Sequence, residues 1–245
     1  MASDHPAFRA PSNPDVILSR YMDLTKFADM LSRQSIFFCR SDQLGDPFEG
    51  SLPRLNREDE RITKYAGASP AELERYAGEA SRLRMWTMIS CWHANEHESM
   101  AMWRWYAGKD GALMVQTTYR LMFELLPEQV HIGEVTYLDY EADRIEDNDN
   151  TFKWYLHKRK AFEYEKEVRA ICEFKPWGMP LEQYPRIQNV GPGIRHQVDL
   201  KRFIRCVRVA PGTQRWVLDL IKDLSLRYGF DFPVEPSTID LGPVF

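Results

Sequence analysis

Apolar residues change period several times along the chain, and each change marks a predicted element. Val16–Met22 reads as a β-type run. Asp23-Leu24-Thr25 then offers an N-cap, after which Leu24, Phe27, Ala28 and Leu31 recur on one face of a short helix. Ser35–Arg40 returns as a strand, ending in the turn-rich Ser41–Gly50. Further strands are predicted at Thr87–Trp92, Ala112–Gln116, Gly133–Leu138, Val168–Phe174 and Ile204–Val209. Helices are predicted from about Glu98 to Ala107 with Gly108 as the stop, near 118–126, and over the charged stretch Glu141–Glu163. The final helix has Thr213 as its cap, Trp216, Val217, Leu220, Ile221 and Leu224 at helical spacing, and Gly229 at its end. Arg54–Arg84 is rich in Arg, Glu and Ala, and Ser69-Pro70-Ala71-Glu72 combines a cap, a first-turn proline and a glutamate. This predicts a charged helical insertion at about 54–86. Residues 1–14 carry Pro6, Pro11 and Pro14 without periodicity and read as a flexible arm, and 176–196 read as a long loop. The pattern predicts one α+β domain over 15–245, with a mixed, largely antiparallel sheet of six or seven short strands and interleaved helices. Its irregular spacing does not suit a doubly wound parallel sheet.

Composition narrows the class. Of 245 residues, 44% are hydrophobic and 28% charged, enough apolar material for a core and too much charge for a membrane protein. No run approaches the roughly 18 apolar residues that span a bilayer. The opening Met1–Pro6 lacks the basic-then-apolar order of a signal peptide, so the expectation is a cytoplasmic protein with no membrane partner. The formal charge of −4 confines nucleic-acid contact to a local patch. Cys39, Cys91, Cys172 and Cys206 are widely spaced and read as reduced thiols, the first three buried in strands. No C-x-x-C pair, G-x-G-x-x-G, Walker loop or G-x-S-x-G occurs, which disfavours zinc ribbons, Rossmann enzymes, nucleotide kinases and α/β-hydrolases.

Candidate chemistry centres on Glu163–Cys172. Strand parity sends Val168, Ala170 and Cys172 one way and Glu165, Glu167 and Arg169 the other. That face is either the solvated side of an edge strand or a cleft wall in which a glutamate polarises a hydroxyl or steadies a cationic transition state. Asp46-Pro47-Phe48-Glu49-Gly50 reads as a surface turn with Phe48 tucked into the core, with ligand contact by Asp46 or Glu49 as the alternative. Met102, Trp103 and Tyr106 share a helical stripe that reads more as core than as a stacking platform. His93 and His97 have the i, i+4 spacing of zinc ligands without the motif, so no metal is expected. Lys153, His157, Lys158, Arg159 and Lys160, with Trp154 and Tyr155, read as a solvated helix face, with a phosphate-tracking patch as the alternative. Glu173-Phe174-Lys175, with Asp139, matches the E-x-K of metal-dependent nucleases, a tripeptide common by chance.

Taken together, Arg20-Tyr21, Phe37-Phe38-Cys39-Arg40, Asp46-Pro47-Phe48-Glu49, Ser90-Cys91-Trp92, Met102-Trp103 with Tyr106 and Gly111, then Phe162 with Glu165-x-Glu167-x-Arg169 resemble a bacterial family of domains of unknown function. The chain departs from it at Gly45, where members often have Asn, and at His93, where they have Ser. The same order of features distantly resembles ADP-ribosyltransferases, which place an Arg or His on an early strand, a Ser, Thr or Tyr in the middle and a Glu at the start of a late strand. That resemblance implies NAD as substrate and a nucleic acid or protein target, in phage defence or toxin activity, with an antitoxin or immunity partner as a further implication. It implies Arg20, Glu165 and Glu167 as catalytic residues, with Arg20 holding the pyrophosphate. Ser90 or Tyr106 would be the middle residue, Tyr21, Phe48 or Trp92 would stack on nicotinamide, and Arg169 would complete the NAD-binding set. A non-catalytic ligand- or nucleic-acid-binding module and a metal-dependent nuclease are the alternatives.

Overall fold

The computed structural model describes residues 1–63, 66–106, 111–146, 150–174 and 191–243. The chain is α+β. Its elements run β1 (Ile17–Met22), α1 (Leu24–Arg33), β2 (Ser35–Arg40), α2 (Arg54–Thr63), α3 (Pro70–Trp86), β3 (Thr87–Ala94), α4 (Met100–Tyr106), β4 (Leu113–Thr118), α5 (Tyr119–Leu125), β5 (His131–Glu134), β6 (Thr136–Leu138) and β7 (His157–Arg159). After them come β8 (Glu167–Glu173), β9 (Gly193–Gln197), α6 (Leu200–Phe203), β10 (Cys206–Val209), α7 (Arg215–Arg227) and β11 (Val234–Glu235). Local signals account for several boundaries. Asp23 caps α1 by accepting from the Lys26 N–H, and Ser69 with Glu72 forms a reciprocal capping box on α3.

Nine strands form a mostly antiparallel sheet in the order β11-β10-β4-β1-β3-β2-β9, with β8 on the other edge of β3 and β5 beyond it. On the edge of β3 opposite β8, two strands compete. β1 pairs only with its last residues, Leu18 with Ala94 and Ser19 with His93, while β2 pairs only with its first, Cys39 with Ile89 and Arg40 with Met88. Between Ser90 and Trp92, β1 and β2 therefore diverge and the sheet forks. One face of the sheet is sealed by a core that includes Leu18, Phe27, Leu31, Ile36, Phe38, Trp92, Val168 and Ile221, contributed by β1, α1, β2, β3, β8 and α7. The opposite face carries Ile89, Ile171, Tyr155 and Leu156 in a smaller cluster.

Several expectations are corrected. The described residues of Glu141–Glu163 form no α-helix: turns, a 3-10 turn at Thr151–Tyr155, strand β7 and a second 3-10 turn at Lys160–Glu165 replace it, because residues 157–159 are drawn out into an extended pairing with β6 and Lys158 is held by Glu165 and Glu167. Gly133–Leu138 is two strands that bend at Val135, β5 joining the large sheet and β6 pairing with β7. The end of the expected 176–196 loop is strand β9, paired with β2. Gly193 is required there, since a Cβ would lie 2.0 Å from the Phe38 carbonyl oxygen. The cap of α7 is Gln214 rather than Thr213. Cys172 is buried, but Cys39 and Cys91 are only half-buried, and all four cysteines are free. Residues of the N-terminal arm lie against the sheet: Ala2 is buried, its N–H donates to Phe123 O at 2.7 Å, and Arg9 O accepts from Glu134 N on the outer edge of β5 at 2.8 Å. The stop of α4 at Gly108 and the nuclease-pattern Lys175 lie outside the described residues. Among the described residues, no helix is long and apolar enough to cross a membrane.

Candidate functional site

The fork opens into a cavity of about 1150 Å³. Strand parity decides what faces it. Ser35, Phe37 and Cys39 on β2, Cys91 and His93 on β3, and Glu167 and Arg169 on β8 all project from one face of the sheet into its wall. Tyr21 joins them as the neighbour of His93, their rings 6.1 Å apart. Arg20 belongs by parity to the opposite face, with Trp92, yet lines the same cavity because β1 has peeled away from β3 there.

One end of the cavity is a buried charge network. Arg169 is fully buried and spends all of its N–H groups: Nε on Glu167 at 2.9 Å, Nη1 on Glu49 at 2.5 Å and on Tyr155 O at 2.6 Å, Nη2 on Glu49 at 2.8 Å and on Glu167 at 3.2 Å. Lys158 reaches from β7 between the two other carboxylates, donating to Glu165 and to Glu167, the latter at 3.3 Å. Tyr106, at the end of α4, donates its hydroxyl to Glu165 at 2.5 Å. Three carboxylates against two cations leave one net negative charge in this wall. Burial pushes the carboxyl of Glu167 up, but Arg169 and Lys158 outweigh it and hold the group at about 2. For Glu165 burial prevails, with the negative charge of Glu167 adding to it, and its pKa is raised despite Lys158 and Tyr106. Lys166, between the two glutamates, has φ 39°, a left-handed conformation that turns the chain from the 3-10 segment into β8 and lets both carboxylates meet Lys158.

The centre of the cavity is cationic. Arg20 Nη1 crosses the fork to donate to Phe37 O at 2.9 Å and Ser90 Oγ at 3.0 Å, and its guanidinium lies 5.8 Å from the centre of the Trp92 ring. No carboxylate among the described residues pairs with it, and burial lowers its pKa. A guanidinium with donors to spare at the wall of a cavity is a ready anion site. His93 is buried. Its Nδ1 donates to Glu165 O at 2.5 Å, which leaves Nε2 as an acceptor without a partner, and burial keeps the ring neutral by lowering its pKa.

No family model, no curated protein and no solved structure matches this chain.

Of the residues singled out from sequence, Arg20, Tyr21, Trp92, Tyr106, Glu165, Glu167 and Arg169 all line the cavity. Their positions within it differ. Ser90 is fully buried behind the wall, where its hydroxyl accepts from both Arg20 and Trp92 Nε1 at 3.0 Å. Phe48 lies outside the lining, 39% exposed, with the Arg159 guanidinium 4.2 Å from its ring centre. The Asp-Pro-Phe-Glu turn is thus inverted relative to expectation, with the aromatic outward and Glu49 buried on Arg169. Arg169 has no N–H left for a ligand and organises the glutamates instead. The solvated-edge reading of β8 is excluded, because the strand is flanked by β3 and β5 and both glutamates are at most 5% exposed. His93 is on a strand and His97 in an exposed turn, so the i, i+4 pairing does not form. No group of three His, Cys, Asp or Glu among the described residues could hold a metal.

Sequence reasoning missed Lys158, which sat inside what looked like a solvated basic face, and weighed Glu49 only as a ligand contact and His93 only as a metal ligand. No local signal marked Glu49 as the partner of a buried arginine. Its partner Arg169 lies 120 positions away.

Proposed function

We propose that this chain is an NAD-dependent ADP-ribosyltransferase-like enzyme that transfers ADP-ribose to a nucleic acid or protein. The observation carrying the proposal is that an early-strand arginine without a carboxylate partner, Arg20, and the glutamate preceding a late strand, Glu165, open on one cavity with β3 between their strands. The volume supports it too, since sites for drug-sized ligands occupy about 300–1,000 Å³ and a dinucleotide needs the upper end of that range. In the proposed reaction the bond from ribose C1′ to the nicotinamide nitrogen breaks with its electron pair leaving on nicotinamide. The ribose is left as an oxocarbenium-like cation, a nucleophile of the target bonds to C1′, and its proton goes to solvent or a base. Arg20 suits the diphosphate, being the cation with free donors. Glu165 suits the ribose: ionised, it accepts from a ribose hydroxyl and offsets the developing positive charge. Glu167 is better suited to support, because Arg169 donates to it through two N–H groups, whereas Glu165 has no arginine partner.

The decisive experiment is calorimetric titration with NAD combined with transfer from labelled NAD to mixed nucleic acid and protein targets. Saturable NAD binding with label transfer that Glu165→Gln abolishes is the expected outcome. Binding without turnover would favour a non-catalytic ligand module, and no binding at all would retire the proposal. The nuclease alternative is weaker, as Asp139 is exposed in a turn and the metal-ligand set is missing among the described residues.

A further inference from the structure

The two ends of the cavity differ in chemistry, and only one is accounted for by Glu165. The other lies where β2 pairs with β9. There Phe37 and Arg195 are direct cross-strand partners on the cavity face, with the guanidinium 5.1 Å from the ring centre. Asp29 of α1 accepts from Arg195 Nη2 at 2.7 Å and from Nε at 3.2 Å, which holds the guanidinium over the ring. Ser35, next on the same face of β2, lines the same end. Its hydroxyl is buried, with the residue 2% exposed, and has no hydrogen-bond partner within the protein. A buried hydroxyl left unpaired costs stability unless something else pairs with it. No substrate group assigned so far reaches it.

We propose that this end of the cavity binds the adenosine half of the dinucleotide, with the adenine ring stacked on the Phe37–Arg195 pair and a polar atom of the nucleoside on Ser35 Oγ. The inference rests on the reading of the site as one for NAD and adds the direction in which the molecule lies. Cavity and dinucleotide are complementary in order. The cavity runs from a stacked aromatic and guanidinium, through the unpaired Arg20, to the carboxylates at Glu165. An adenine dinucleotide runs from a flat ring, through a diphosphate, to a ribose that becomes cationic. A flat ring gains from an aromatic face and a guanidinium plane, whereas the Glu165 end offers a net negative charge and would repel phosphate. In the reverse orientation the developing ribose cation would sit beside Arg195 and Arg20, where the one carboxylate, Asp29, is matched by Arg195 and no excess negative charge offsets it.

The test is titration of AMP and of NAD into the wild type and into Phe37→Leu, Arg195→Gln, Ser35→Ala and Glu165→Gln. Phe37→Leu, Arg195→Gln and Ser35→Ala are expected to weaken AMP by about tenfold, the scale of one lost stacking or hydrogen-bond contact, while Glu165→Gln leaves AMP unchanged. Ser35→Ala is the sharpest variant, because removing a hydroxyl without an internal partner leaves Tm unchanged or higher, so weaker AMP binding there reports a ligand contact. Arg195→Gln removes only a part-exposed ion pair and is the safeguard should Phe37→Leu fold poorly. AMP affinity equal to wild type in Ser35→Ala and Arg195→Gln overturns the inference, as does AMP binding that depends on Glu165. If NAD binds and turns over while these variants behave as wild type, the orientation is wrong and the transferase reading stands. If AMP binds in a Phe37- and Arg195-dependent way but NAD does not bind, the adenosine site stands and the transferase reading falls. Binding of neither ligand removes both.

Discussion

The two glutamates two positions apart carry opposite pKa shifts, and their consequences separate. Glu165, raised by burial, must lose its proton to stabilise a cation, so activity should fall as pH drops through a value above the ordinary carboxylate range. Glu165→Gln should abolish transfer at every pH. A pH profile of kcat/KM that is flat through the acid limb would contradict this role. Glu167, held at about 2, contributes stability that is full above its unfolded value near 4.5 and is lost as pH falls from there towards 2. Glu165 acts in the opposite sense, its contribution present below the unfolded value and lost as pH rises through its raised folded value. Comparing Tm across pH for the two Gln variants resolves these slopes. Glu167→Gln should also lower Tm, because an amide there leaves Arg169 and Lys158 short of a buried counter-charge. Lys166 makes a second residue-scale prediction. Its left-handed backbone tolerates Gly, whereas the β-branched Lys166→Val should cost about 1–3 kcal/mol in chemical denaturation and misplace Glu165.

Among the elements, β8 organises the most. Placed between β3 and β5, it sends Val168, Ala170 and Cys172 into the main core and Glu167 and Arg169 into the network. Arg169 ties the Asp-Pro-Phe-Glu turn to the strand, and Lys158 ties β7 to it. Arg169→Met should therefore cost about 3–5 kcal/mol, the usual scale for stripping one partner from a buried ion pair, by leaving Glu49 and Glu167 buried and uncompensated. If urea denaturation shows a loss under about 1 kcal/mol, Arg169 is not the organiser. Gly50 and Gly193 hold the flanking elements. At Gly50 a Cβ would meet the Tyr155 ring at 2.4 Å with φ at +68°, and at Gly193 it would displace β9 from β2. Gly193→Ala should weaken AMP binding as strongly as the loss of Phe37, because it moves the strand that carries Arg195.

For the molecule as a whole, the fork makes the cavity and makes its occupancy measurable through native thiols. Cys39 is half-buried on the cavity wall, while Cys172 is fully buried in the core. Mass-spectrometric maleimide labelling of the native protein should modify Cys39 before Cys172, and saturating ADP-ribose should slow the cavity-wall thiols Cys39 and Cys91 but not Cys172. Equal rates, or protection of Cys172, would mean that the ligand acts through global stability and not by filling the fork.

The α+β class, strands β1 to β4 and β8, and helices α1, α4, α5 and α7 were legible in the chain because periodicity reports which face of an element is buried, and that is a local property. Arg20 and Tyr106 were singled out only through the resemblance, Glu165 and Glu167 also through strand parity, and all four line one cavity. Three things were not legible. Residues 141–163 looked helical, since charge and spacing alone do not distinguish a solvated helix from turns that carry Lys158 inward to meet two glutamates. The orientation of Asp-Pro-Phe-Glu depended on Arg169, 120 positions on, which pulls Glu49 in and leaves Phe48 out. The cavity itself depended on β1 and β2 competing for one edge of β3. A chain's own periodicity fixes how each strand faces, but which strands share an edge, and where they part, is decided only when distant segments pack together.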